Sequence, residues 1–286
     1  MIRPLALALC LAGCGTVAPA MLPLDGDTPT DATAPDAATA DTAPAPPDPC
    51  DAPITAPSPP GEYPAFYSKM LVAEGVPVLS SARTSDVALR AACRIVRRMV
   101  GPRDDVREAM LARGARVAVM ARDERTLDIP EHADLQRLYP DTDWNTRARG
   151  LGGTVARPVT SCAEENLRCD PDDRYRGENI LVHELAHGMF NLGVSFAVPD
   201  FPARLRAAFD AARAAGRWAN TYAGSNPDEY FAEGVQCFFD TNLRADPPNG
   251  IHNHIHTRAA LRDYDPALYA LVAEVFPGDP WTPTCP

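Results

Sequence analysis

Glu178-Asn179-Ile180-Leu181-Val182-His183-Glu184-Leu185-Ala186-His187-Gly188-Met189-Phe190 is the stretch that decides the fold. Four residues make just over one helical turn, so His183 and His187 leave one face of a predicted helix and can grip one ion. Glu184 sits beside them, where it can take a proton from a metal-activated water. Val182, Leu185, Ala186 and Met189 make the other face apolar, as a buried helix requires. A zinc site that does chemistry needs three protein ligands and an open fourth position. The longer HExxHxxGxxH pattern is absent, because Phe190 and Gly193 stand where its glycine and last histidine would be. The third ligand therefore comes from elsewhere.

Outward from this helix, Asn226-Pro227-Asp228-Glu229-Tyr230-Phe231-Ala232-Glu233 opens a second one. Asn226 suits the N-cap and Pro227 the first helical position. Glu229 and Glu233 then share a face, where two carboxylates repel unless a cation or an imidazole N–H lies close. Glu229 as metal ligand with Glu233 orienting a ligating histidine relieves that repulsion. A capping box between Asn226 and Glu229, with Glu233 solvated, relieves it equally well. The residues alone leave both arrangements open.

HELAH followed by YAGSNPDEYFAE resembles the gluzincin peptidases of the anthrax lethal factor type, including the related secreted proline-directed endopeptidases. The resemblance spans roughly residues 178–240. It implies a zincin-like fold, one zinc per chain held by His183, His187 and Glu229, and Glu184 as general base. It also implies that Tyr222 stabilises the transition state and that Glu233 supports a ligand. The implied activity is metal-assisted hydrolysis of a protein or peptide substrate. In zincins an edge strand ahead of the active-site helix binds substrate as an extended chain. Gly152-Gly153-Thr154 is the candidate for it, and a plain surface turn is the competing reading. A catalytically silent relative used as an envelope binding or scaffold module is the alternative function; a degenerate scaffold would be expected to lose some of these groups.

The remaining sequence sets the context. Predicted helices cover 84–100, 104–113, 201–218, 227–240 and 265–275, with a strand over 116–121. A small mixed sheet followed by helices predicts an α+β domain over 61–286. Residues 1–13 read as a signal peptide too short to span a bilayer, which takes about 20 apolar residues. Leu11-Ala12-Gly13-Cys14 resembles a bacterial lipobox, which implies acylation at Cys14 and a lipid anchor to the membrane. The expected location is extracytoplasmic, at the outer membrane if the organism has two. The Ala/Pro/Asp/Thr-rich segment 14–60 reads as a disordered tether.

The formal net charge of −11 argues against a nucleic-acid partner. A monomer is expected. Cys50, Cys93, Cys162, Cys169, Cys237 and Cys285 form an even set in an exported chain, hence disulfides, and Cys162 with Cys169 is the pair the short loop suggests. His252, His254 and His256 alternate and would share one face of a strand; an exposed polar loop is the simpler reading. Asp170, Asp172 and Asp173 lack calcium-loop spacing and read as a turn. His132 reads as structural or exposed, and the last helix shows no chemistry.

Overall fold

The computed structural model describes residues 48–278 and 281–286. The expected signal peptide, Cys14 and most of the expected tether lie outside these residues. The core is a four-stranded sheet in the order β1-β2-β3-β4: β1 (Lys69–Ala73), β2 (Val76–Ser80), β3 (Arg116–Met120) and β4 (Val159–Ala163). The β1–β2 pair is antiparallel, and β2–β3 and β3–β4 are parallel. Glu74 and Gly75, both at positive φ, turn the chain between the first two strands. That backbone matches the strand twist in a two-residue hairpin, and glycine enters it without steric cost.

The parallel crossover from β2 to β3 is made by α1 (Asp86–Val100) and α2 (Asp104–Leu111). Ser85 caps α1 by accepting from the Ala88 amide. Alternation along the strands divides the sheet into two faces. Leu71, Val78, Val117, Val119 and Cys162 point into the main core, with α1 and the later helices. Met70, Leu79, Ala118, Met120 and Val159 face a smaller cluster closed by Tyr67 and Ile129.

The second half is helical. It comprises α3 (Ile180–Met189), α4 (Phe201–Ala214), α5 (Pro227–Phe238), α6 (Arg258–Tyr264) and α7 (Pro266–Val275). The mixed sheet followed by helices is the α+β class expected. The hairpin β1–β2 and strand β4 escape the sequence reading, being short apolar runs without a clear period.

Two expectations fail here. Residues 48–55, part of the segment assigned above to the tether, pack on the fold. The Arg90 guanidinium holds the carbonyls of Cys50 and Ala52, Arg97 pairs with Asp48 at 2.6 Å, and Thr55 bridges Met70. Composition counts apolar area, whereas this segment is held by ion pairs, backbone bonds and a disulfide.

The second failure is the pairing itself. Cys50 bonds Cys93, Cys169 bonds Cys285, and Cys162 and Cys237 are free thiols buried in the core. Cys162 is fixed inside β4 with its side chain toward the helices, so it cannot turn to Cys169 beyond the following helical turn (Glu164–Leu167). The Cys169–Cys285 bond closes a separation of 116 residues. Cys285→Ser is therefore expected to cost about 2–5 kcal/mol of unfolding free energy, measured by urea titration. An unchanged urea midpoint would contradict it.

Candidate metal centre

Asn179 starts α3 by accepting from the Val182 amide, and its own carbonyl and amide are tied to Gln236 and to the Thr241 carbonyl. The helix therefore begins at a fixed point against α5. One turn on, His183 and His187 project toward α5, which Asn226 caps by accepting from the amides of Asp228 and Glu229 at 3.0 and 2.9 Å. That cap orients the first turn and aims Glu229 at the two rings. The Glu229 carboxylate is engaged with the histidines, so no capping box forms.

His183 Nε2 and His187 Nε2 lie 3.2 Å apart. Glu229 Oε2 is 3.1 Å from the first and 3.2 Å from the second. The Nδ1 of His183 lies 2.9 Å from Gln236 Oε1, an acceptor, so when the ring is neutral its Nε2 carries the lone pair toward the centre. Three atoms of this kind repel unless a proton or a cation lies among them. Tetrahedral zinc with bonds of about 2.0–2.1 Å has edges of about 3.3–3.4 Å, and this triangle fits it closely. Among the described residues, these three alone form such a group.

The electrostatics follow from the geometry. Burial works against charge on His183, but the Glu229 hydrogen bond and the Glu184 and Glu233 carboxylates outweigh it and push the ring up to about 10. Burial likewise works against charge on Glu229, yet its bonds to His183 and His187 hold its carboxyl well below the usual range. Burial raises Glu184, while the Gly152 amide and the two histidines favour its charged form. Tyr222 stacks over His183 with centroids 6.2 Å apart. Burial, then the charge and hydrogen bond of Glu229, raise its hydroxyl well above the ordinary value, so it stays protonated and able to donate at neutral pH.

Glu233 is buried rather than solvated. Its Oε1 lies 3.5 Å from His183 Nδ1, and its Oε2 accepts from Asn242 at 2.9 Å. The closer partner of His183 is Gln236, which the sequence reading missed. Its position seven residues after Glu229, two helical turns on, is the signal that could have found it. Asp265 was missed as well. It is fully buried and accepts from Tyr230 Oη at 2.6 Å and Trp218 Nε1 at 2.9 Å, tying the Tyr222 loop, α5 and the last helix to one carboxylate.

The glycine segment runs beside β4 and ends in a turn closed between Thr154 and Arg157. Leu151 pairs antiparallel with Ser161 of β4, and Gly153 donates its amide to Thr160 Oγ1. A Cβ on Gly152 would stand 2.4 Å from His187 Cβ, so only glycine lets the backbone cross α3 there.

The three alternating histidines separate. His252 is buried with Nε2 3.3 Å from Glu178 Oε2, against the exposed-loop reading, while His254 is exposed against the Tyr264 ring. Asp170 and Asp172 pair with Arg122 in a turn, as expected, and His132 is buried on Ser161.

Two histidines and a carboxylate on an α+β fold are a metal-binding arrangement of the open kind. No family model and no curated protein matches the chain. Among solved structures it is similar to a Pro-Pro endopeptidase from Paenibacillus alvei, at 18% identity and a TM-score of 0.41, over 65% of this chain and 91% of that one. At that level of likeness the reading of the site rests on its own side chains.

Proposed function

We propose that the chain is a zinc-dependent endopeptidase. The observation that carries the reading is the triangle of His183 Nε2, His187 Nε2 and Glu229 Oε2, 3.1–3.2 Å on each side, with a carboxylate and a protonated phenol beside it. Zinc, when bound there, supplies the Lewis acidity that makes water a nucleophile near neutral pH.

The chain's own residues do the rest. Glu184, its pKa raised by burial, takes the proton from the attacking water and hands it to the leaving amine. Tyr222 donates to the oxyanion as it develops. Gln236 and Glu233 hold the His183 ring so that its lone pair faces the ion. The scaffold alternative is less favoured, since base, ligands and tyrosine all converge.

Two disulfides suit an oxidising, extracytoplasmic compartment. Among the described residues no helix is long and apolar enough to cross a membrane. Lipid attachment through Cys14, by resemblance to a lipobox, would hold the enzyme at the cell envelope.

The test is metal analysis of wild type and Glu229→Ala. About one zinc per chain in the first, with affinity reduced at least 10-fold in the second, is the expected outcome. Wild type that takes up no zinc on reconstitution would overturn the reading.

A further inference from the structure

The metal centre is rich in carboxylates: Glu184, Glu229 and Glu233 surround the two histidines, and Glu178 lies against His252. Close to it along the chain the sign reverses. The short helix Trp144–Arg147 carries Arg147, whose side chain is exposed and makes no ion pair or side-chain hydrogen bond among the described residues.

Its backbone is firmly held. Asp143 caps the turn through Thr146, Asn145 accepts from the Leu127 amide, and Thr126 Oγ1 donates to the Ala148 carbonyl at 2.6 Å. The Arg174 guanidinium donates to the carbonyls of Thr146 and Arg147 at 2.7 and 2.8 Å, which sets a second cation against the same turn. Arg174 also lies over the Tyr175 ring, 4.5 Å from its centroid.

Three residues after Arg147 the chain reaches Gly150, where an added Cβ would touch Glu184 Cγ at 3.0 Å. Three residues span at most about 10–11 Å, so the Arg147 backbone stands within about three residues' length of extended peptide from Gly150. The charge of Arg147 also acts on the Tyr222 hydroxyl, where it opposes burial and Glu229. An arginine presented on a fixed turn, unpaired and close to the chemistry, is prepared for a carboxylate, which it can take in two parallel hydrogen bonds.

Resting on the peptidase reading, we propose that Arg147, with Arg174 beside it, selects substrates that carry a carboxylate within a few residues of the bond to be cut. In a chain of net charge −11 these cations also supply the local attraction that an acidic peptide needs. The carboxylate can be an Asp or Glu side chain or the free C-terminus of a peptide, and the two sources are separable.

The experiment uses the zinc-loaded full chain and a positional library of fluorogenic octapeptides bearing Glu, Gln or Lys at each position, each made with a free and an amidated C-terminus. Wild type is expected to favour Glu over Gln by about tenfold in kcat/KM at one position, the scale of a charged hydrogen bond. Preference for the free C-terminus instead would place the carboxylate at the chain end. R147E is expected to reverse the preference to Lys, a change that mere loosening of the turn cannot produce; R174Q should weaken it.

Binding of the same peptides to zinc-loaded E184Q, with and without R147E, by fluorescence anisotropy separates this proposal from the one beneath it. Acid-selective binding that R147E abolishes, when zinc-loaded wild type cleaves none of the peptides, keeps the carboxylate site and removes the peptidase. Cleavage with no difference among Glu, Gln and Lys and between the two C-termini, or an unchanged preference in R147E, overturns the carboxylate site and leaves the peptidase.

Discussion

Glu184→Gln is expected to keep its zinc and lose about 10²–10⁴-fold in kcat, the usual contribution of a positioned general base. The substitution preserves shape and removes only the ability to take a proton. The triangle of ligand atoms does not include Glu184, so metal content should stay near that of wild type. The paired measurement is kcat on a peptide that wild type cleaves and zinc by metal analysis on the same sample. Undiminished hydrolysis in the variant would remove Glu184 from the chemistry. Loss of zinc together with activity would give it a structural role instead.

Gly152→Ala should be the most damaging single methyl group near the site. The new Cβ would lie 2.4 Å from His187 Cβ and 3.3 Å from the Glu184 carbonyl. His187 Cβ sits at the root of its side chain, so no rotation of the ring relieves the contact. Either the glycine segment lifts away from α3 or the helix shifts, at an overpacking cost of about 1–3 kcal/mol. Both outcomes move His187 relative to Glu229, and zinc affinity should fall by about 10–100-fold, as when a ligand loses its support. Gly153→Ala is the control, because its Cβ meets Leu192 and Thr160 side-chain atoms at 3.2 Å, a contact that small side-chain shifts relieve. Equal zinc affinities for Gly152→Ala and wild type, by competition with a chelator, would refute the argument.

The parts of the site that were legible in the sequence are those built within single helices. His183, Glu184 and His187 declare themselves because helical spacing alone puts them together, and Asn226-Pro227 announces where α5 starts. The place of Glu229 beside the two histidines depends on α5 lying against α3, which spacing within one helix does not encode. Gln236 was invisible for a different reason. Its role depends on which atom of His183 faces which helix, and no periodicity encodes that. The buried bonds from Trp218 and Tyr230 to Asp265 span 47 and 35 residues, so the last helix could not be read as a support for the site.

The sheet tells a similar story. β3 was found because its apolar run follows a clear helix stop at Gly114. The β1–β2 hairpin and β4 went unread although the turn at Glu74-Gly75 has a recognisable second residue. Disulfide pairing is a property of folded distance, and the shorter loop misled because a strand had already fixed the direction of Cys162.

The two disulfides also determine what a nick does. A single backbone cut between Cys50 and Cys93, or between Cys169 and Cys285, leaves both pieces joined covalently. The second span contains α3 and α5, so the whole metal centre lies inside a closed ring. Surrounded by peptidases, the chain could be cut in an exposed loop of that ring and still migrate as one molecule on a non-reducing gel. Between Cys50 and Cys285, only cuts in the stretch from Cys93 to Cys169 would let the chain come apart.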